Sequence, residues 1–110
     1  MKHILFPTLG SAGDVAPLIA LGQALNRPGF QAHIIASPVF RTMVEQAGID
    51  FLPLGSEQQF TALVGHPDLY HPTRAFSVVV RLGVLPFLRP LLDLIRNFPK
   101  QDTLIVSPLL

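Results

Sequence analysis

The stretch His3-Ile4-Leu5-Phe6-Pro7-Thr8-Leu9-Gly10-Ser11-Ala12-Gly13-Asp14 decides the reading of this 110-residue chain. Its first five residues form a short, continuous apolar run, the pattern of a strand covered on both faces rather than one. The run gives way to small residues and two glycines, a loop composition. The sequence then predicts a helix capped by Asp14, with Pro17 in the first turn and Leu18, Leu21 and Leu25 on the inner stripe. Pro28-Gly29 ends it.

Outward from there the same unit repeats. Gln31–Ala36 predicts a second strand. Ser37-Pro38 is a helix start, a hydroxyl cap followed by the residue that fits the first helical position. Phe40, Met43, Val44 and Ala47 form the buried stripe of that helix, and Gly48 supplies its left-handed stop. Ile49–Leu54 predicts a third strand, so β-α-β-α-β fills about fifty residues, the arrangement of a parallel sheet with right-handed crossovers. Glu57–Val64 is read as a short helix, and His66-Pro67-Asp68-Leu69-Tyr70-His71-Pro72 as a loop bracketed by prolines. One long apolar helix is expected over Arg74–Asn97, bent or broken near Pro86 and Pro90. Thr103–Ser107 closes the series as a fourth strand. The expected fold class is therefore α/β, a Rossmann-like parallel sheet with helices on both faces.

Composition narrows the function. The chain is 49% hydrophobic and only 14% charged, against roughly 25% charged residues in an ordinary soluble domain. Such a surface is either folded into a sheet covered on both faces or reserved for a partner. Eight basic and seven acidic residues give a net charge of +1, with no basic stripe of the kind a phosphate backbone requires. Nucleic-acid binding is not expected. With no cysteine, disulfide scaffolds, thiolate metal sites and cysteine nucleophiles are excluded. The longest uncharged run in the apolar C-terminal part, Leu82–Leu88, is seven residues, well short of the roughly 20 that span a bilayer. A cytoplasmic protein is the expectation.

In open parallel sheets ligands bind beyond the carboxyl ends of the strands, which is where Gly10–Pro17 should lie. The spacing is not the G-x-G-x-x-G of a dinucleotide loop, and no Gly-Lys-Ser/Thr triplet for a P-loop occurs. Asp14 has two readings. It caps the helix, or it stands at the mouth of the sheet as a general base, its negative charge favoured by the helix dipole.

From Ile4 through Leu25 the residues resemble the opening of GT-B glycosyltransferases, in particular sterol glucosyltransferases and bacterial transferases acting on macrolide and glycopeptide aglycones. The shared loop is G-S-x-G-D-x-x-P, here Gly10 to Pro17. The likeness continues through Gln31–Pro38 and the helix Phe40–Ala47, and ends at Gly48-Ile49-Asp50-Phe51-Leu52-Pro53-Leu54-Gly55. About the first 55 residues carry it. The resemblance implies an N-terminal, acceptor-binding domain facing a second domain that holds a nucleotide sugar. It implies Asp14 as the base that deprotonates an acceptor hydroxyl for inverting attack on the anomeric carbon. Gly10, Ser11 and Gly13 would lie near the donor diphosphate. The co-substrate would be a UDP-sugar, with no other cofactor. Many relatives place a histidine at the base position with an aspartate behind it; here the position is already aspartate and has no assigned partner. The nucleotide-sugar domain is absent from these 110 residues, so the chain is expected to be a truncated acceptor domain, inactive alone, that needs the missing domain or a separate chain.

His66, Tyr70 and His71 are candidates to line the acceptor pocket, because their loop should also emerge at the carboxyl end of the sheet; Phe87 is a fourth. A metal on His66, Asp68 and His71 is not expected, since the spacing is loose and two prolines hold the backbone extended. His3 and His33, within strands, are read as structural. The apolar stripe from Phe76 to Phe98 is too rich for one buried face. Core packing against the sheet accounts for most of it, and some of its residues either line a greasy pocket for a sterol, lipid or aglycone or touch a membrane surface with Arg81, Arg89 and Arg96 toward headgroups, peripheral to the inner membrane face. Self-association through the uncovered sheet edge is a further expectation. The alternatives to a transferase half are a non-catalytic binding module and a generic Rossmann-like domain for another small anion.

Overall fold

The computed structural model describes residues 1–9 and 12–107. Four parallel strands form one sheet in the order β3-β2-β1-β4, with β1 at Lys2–Pro7, β2 at Phe30–Ala36, β3 at Asp50–Pro53 and β4 at Thr103–Ile105. The first two crossovers step in one direction. The third returns past β1 to its other side, so its last helix covers the opposite face, as right-handed connections require. Alternation along each strand then splits the core. Ile4, Phe6, Ala32, Ile34 and Phe51 point to one layer, where they meet Val15 and Leu18 of α1 (Ala12–Leu25) and Val44 of α2 (Arg41–Gln46). Leu5 and Ile35 point to the other, under Phe87, Leu91, Leu94 and Ile95 of α5 (Leu85–Ile95). Covering on both faces explains why β1 reads as an unbroken apolar run.

Local punctuation behaves as its chemistry dictates. Ser37 caps a 3₁₀ turn, Pro38–Phe40, with its hydroxyl accepting from the Val39 N–H, and α2 follows. Gly48 adopts φ +79° after α2, a conformation only glycine takes without strain. Helix α3 spans Glu57–Val64, started by a capping box in which the Ser56 hydroxyl accepts from Gln59 N–H while the Gln59 side chain accepts from Ser56 N–H.

Three expectations are corrected. Helix α1 begins at Ala12, so Asp14 lies inside its first turn and is not the cap, and Pro17 is the sixth helical residue. That proline cannot donate to the Gly13 carbonyl, and the helix continues past the missing bond. The inner stripe of α1 uses Val15, Leu18, Ile19 and Leu25, while Leu21 is 42% exposed. Gly22 takes the inward place, since α1 passes close to Ile49: a Cβ there would stand 3.0 Å from Ile49 Cδ1. The expected long helix over Arg74–Asn97 is three pieces, α4 at Ala75–Val78, a π-helical segment at Val79–Val84, and α5. Pro86 has no N–H for the Leu82 carbonyl and its ring crowds that carbonyl. The chain answers by widening the turn before it, so that Leu85 N–H bonds Val80 O, five residues back. Pro90 lies within α5 and does not break it.

Across the α5 face runs a polar row. Asp50 Oδ2 is 2.6 Å from His33 Nδ1, and His33 Nε2 is 3.0 Å from His3 Nδ1. With the carboxylate accepting from Nδ1–H of His33, the chain of bonds is complete when His3 Nδ1–H donates to Nε2. Phe98 packs edge-on against both rings, at 5.2 and 4.9 Å between centroids, and thereby ties the end of α5 to the sheet. This bears out the structural reading of His3 and His33.

At the same end, Lys2 Nζ bonds Asp102 Oδ1 at 2.8 Å, joining the starts of β1 and β4. The bond from Lys2, and then its charge, hold the Asp102 carboxyl below its ordinary 3.8. A depressed carboxyl contributes stability above its unfolded value and loses it as pH falls through the folded one. Replacing Lys2→Met should move the Asp102 midpoint up toward 3.8, followed by NMR of its side-chain carboxyl carbon; an unmoved midpoint would remove Lys2 as the cause.

Candidate functional site at the carboxyl end of the sheet

The strands end side by side. Thr8 N–H bonds Ile35 O, Leu54 N–H bonds Ala36 O, and Val106 N–H bonds Leu5 O, so the ladder carries past each strand to its carboxyl end. The residues that follow line a pocket there: Thr8 and Leu9 after β1, Ser37 after β2, Leu54 and Ser56 after β3. Phe60 and Leu63 of α3 and Phe87 of α5 close it. Its walls are apolar, with three hydroxyls at the strand ends. The free space is ≈ 20 Å³, room for about one water.

Phe87 forms one wall. It is buried, and its ring lies against Gly55, which turns the chain after β3 at φ +76°. A Cβ on Gly55 would overlap that ring. Glycine is therefore required twice, for the backbone conformation and for the close approach. On the other side, Phe40 holds Phe60 edge-on at 5.4 Å, and Gly83 of the π-helical segment lets Leu63 of α3 come near.

Of the residues singled out in the sequence, Phe87 lines this pocket. Asp14 is exposed in the first turn of α1. Gly13 belongs to the same turn, whereas Gly10 and Ser11 lie outside the described residues. His66, Tyr70 and His71 do not line the pocket. Tyr70 is 89% exposed. Each histidine instead serves its own turn: His66 Nδ1 accepts from Asp68 N–H, and His71 Nδ1 accepts from the N–H groups of Thr73 and Arg74. No group of three metal-ligating side chains occurs among the described residues. Thr8, Leu9, Ser37, Leu54 and Ser56 escaped the sequence reading. The signal for them was available, since the first residues after each strand of a parallel sheet line its ligand crevice.

Residues 4–83 match the N-terminal domain of glycosyltransferase family 28. The chain belongs to that family. A four-stranded α/β sheet of this kind fits the N-terminal half of a GT-B fold. A sterol 3-beta-glucosyltransferase of Pichia angusta is 41% identical over 64 residues, 56% of this chain and 5% of its own length. An O-mycaminosyltylonolide 6-deoxyallosyltransferase of Streptomyces fradiae is 31% identical over 99 residues, 90% of this chain and 21% of its own. The glycosyltransferase GtfC of Amycolatopsis orientalis is 38% identical over 53 residues, 48% of this chain and 13% of its own. The family 28 chain thus spans about a fifth or less of the curated relatives it matches. No helix among its described residues is long and apolar enough to cross a membrane.

Proposed function

We propose that these residues form the acceptor-binding half of an inverting glycosyltransferase that moves a hexose from a UDP-sugar to a hydroxyl of an apolar acceptor. The observation that carries the reading is the apolar, hydroxyl-edged pocket at the carboxyl ends of β1, β2 and β3, in a chain of family 28. The acceptor oxygen attacks the anomeric carbon, the bond to the diphosphate breaks with its electron pair leaving on UDP, and the hydroxyl proton passes to the Asp14 carboxylate. An inverting step needs acceptor, base and donor aligned within about 3–3.5 Å. The donor side of that alignment requires a second, nucleotide-sugar domain.

The test is transfer from UDP-glucose to a sterol or polyketide aglycone. A protein joining these residues to a nucleotide-sugar domain should give product of inverted anomeric configuration, read from the anomeric coupling constant by NMR. The 110-residue chain by itself should give none. Retained configuration, or turnover by the chain alone, would overturn the proposal.

A further inference from the structure

We infer that the row Asp50–His33–His3 is an acid-operated latch: it fastens the segment after α5 to the sheet while at least one histidine is neutral, and releases it when both are charged. Asp50 stands directly across from His33 in the β2–β3 register, with Oδ2 2.6 Å from Nδ1. On its other side, His33 Nε2 faces His3 Nδ1 at 3.0 Å. His33 is buried, and no buried side-chain nitrogen or oxygen among the described residues lacks a partner. The Nδ1 proton of His33 is committed to Asp50. The bond between the two rings therefore has room for one proton only.

The switch lies in that proton count. With both rings neutral, His3 Nδ1–H donates to His33 Nε2. A first added proton costs no bond. His33 then donates from both nitrogens, to Asp50 and to His3 Nδ1, while His3 keeps its own proton on Nε2. The carboxylate balances the new charge. A second added proton goes to His3 Nδ1, where it meets the Nε2–H of His33 across 3.0 Å. The bond is lost, and two cations stand together at a buried place.

Phe98 is what the bond positions. It follows the end of α5, and its ring packs edge-on against both imidazoles, whose own centroids are 5.2 Å apart. A ring can rest on both only while they stay together. Phe98 brings no charge to the row, and β2 holds no charged residue beside His33. From β3 the facing group is Asp50, already used as acceptor. At the start of β1, Lys2 and the amino terminus are both cations, and Asp102, in the turn before β4, is bonded to Lys2. Lys100 of that turn is a further exposed cation, and Asp93 and Arg96 of the α5 end pair with each other. None of these takes up a second imidazolium. The fastened row holds one added proton and the released rings hold two, so falling pH favours release.

The experiment is NMR of the 110-residue chain with labelled ring nitrogens, from about pH 8 to about pH 5, the span in which histidine changes charge. At the alkaline end both rings should carry their proton on Nδ1. The first proton should be taken up with the nuclear Overhauser contacts from Phe98 to His3 and His33 intact. The second should abolish them. His3→Gln supplies an amide that donates or accepts at the same place and never takes a charge, so it should keep the Phe98–His33 contacts to the acid end. Contacts that survive with both rings charged, or that vanish with the first proton, would overturn the latch. So would their loss in folded His3→Gln over the same span. Loss of the whole fold by circular dichroism at the same step would overturn it as general acid unfolding. Should His3→Gln not fold, the order of events in the unaltered chain decides.

Discussion

Asp14→Asn in the complete transferase should lower kcat by about 10²- to 10⁴-fold, the range that a positioned general base contributes. Asparagine keeps the size of the side chain and its hydrogen-bonding reach, but it cannot take up the acceptor's proton. Asp14 is exposed in the first turn of α1, the helix that follows β1. The fold should hardly notice the change. A carboxylate near a helix N-terminus contributes about 0.3–1 kcal/mol, so the thermal midpoint should move little. The comparison requires single-turnover kinetics beside a melting curve. A kcat within a few-fold of the unaltered enzyme would end the role of Asp14 as base. A loss of kcat matched by a large loss of stability would mean that the carboxylate is structural.

Phe6→Ala should cost about 3–5 kcal/mol, because Phe6 is fully buried in the layer between the sheet and α1 and its removal leaves a cavity. Against a total of about 5–15 kcal/mol for an ordinary domain, that is enough to unfold a large share of the chains at room temperature. Leu104→Ala, by contrast, should change stability by no more than about 0.5 kcal/mol, because Leu104 is 60% exposed on β4. Urea denaturation with a common m-value separates the two cases. Equal costs would mean that β4 is covered in solution, by a second copy or another segment. The pair of variants therefore tests the core and the open edge together.

Residues whose signals are local were legible. Ser37-Pro38 and Gly48 each act within one turn of the chain, so their structural roles follow from the residues themselves. The apolar run Ile4-Leu5-Phe6 was legible as a strand covered on both faces for the same reason. Where the reading missed, distant partners were responsible. Leu21 fits the helical stripe by spacing, but α1 lies so close to Ile49 that Gly22 takes the inward place and Leu21 turns out. Asp14 has a favoured cap chemistry, yet the helix begins two residues before it. The prolines at 86 and 90 announced a disturbance, but not that a π turn ahead of the first would absorb it.

The sequence by itself determined the alternation of strands and helices, their approximate limits and the family resemblance, because caps, glycines and apolar periods act between neighbours along the chain. Only the tertiary structure decided the order β3-β2-β1-β4, the division of helices between the two faces, and the meeting of Thr8, Ser37, Leu54 and Phe87 at one pocket. It also decided that Asp50, His33 and His3 join in one row. Those are contacts between residues separated by tens of positions. Which of them form depends on how a twisted sheet and its crossovers exclude space, a constraint no window of sequence contains.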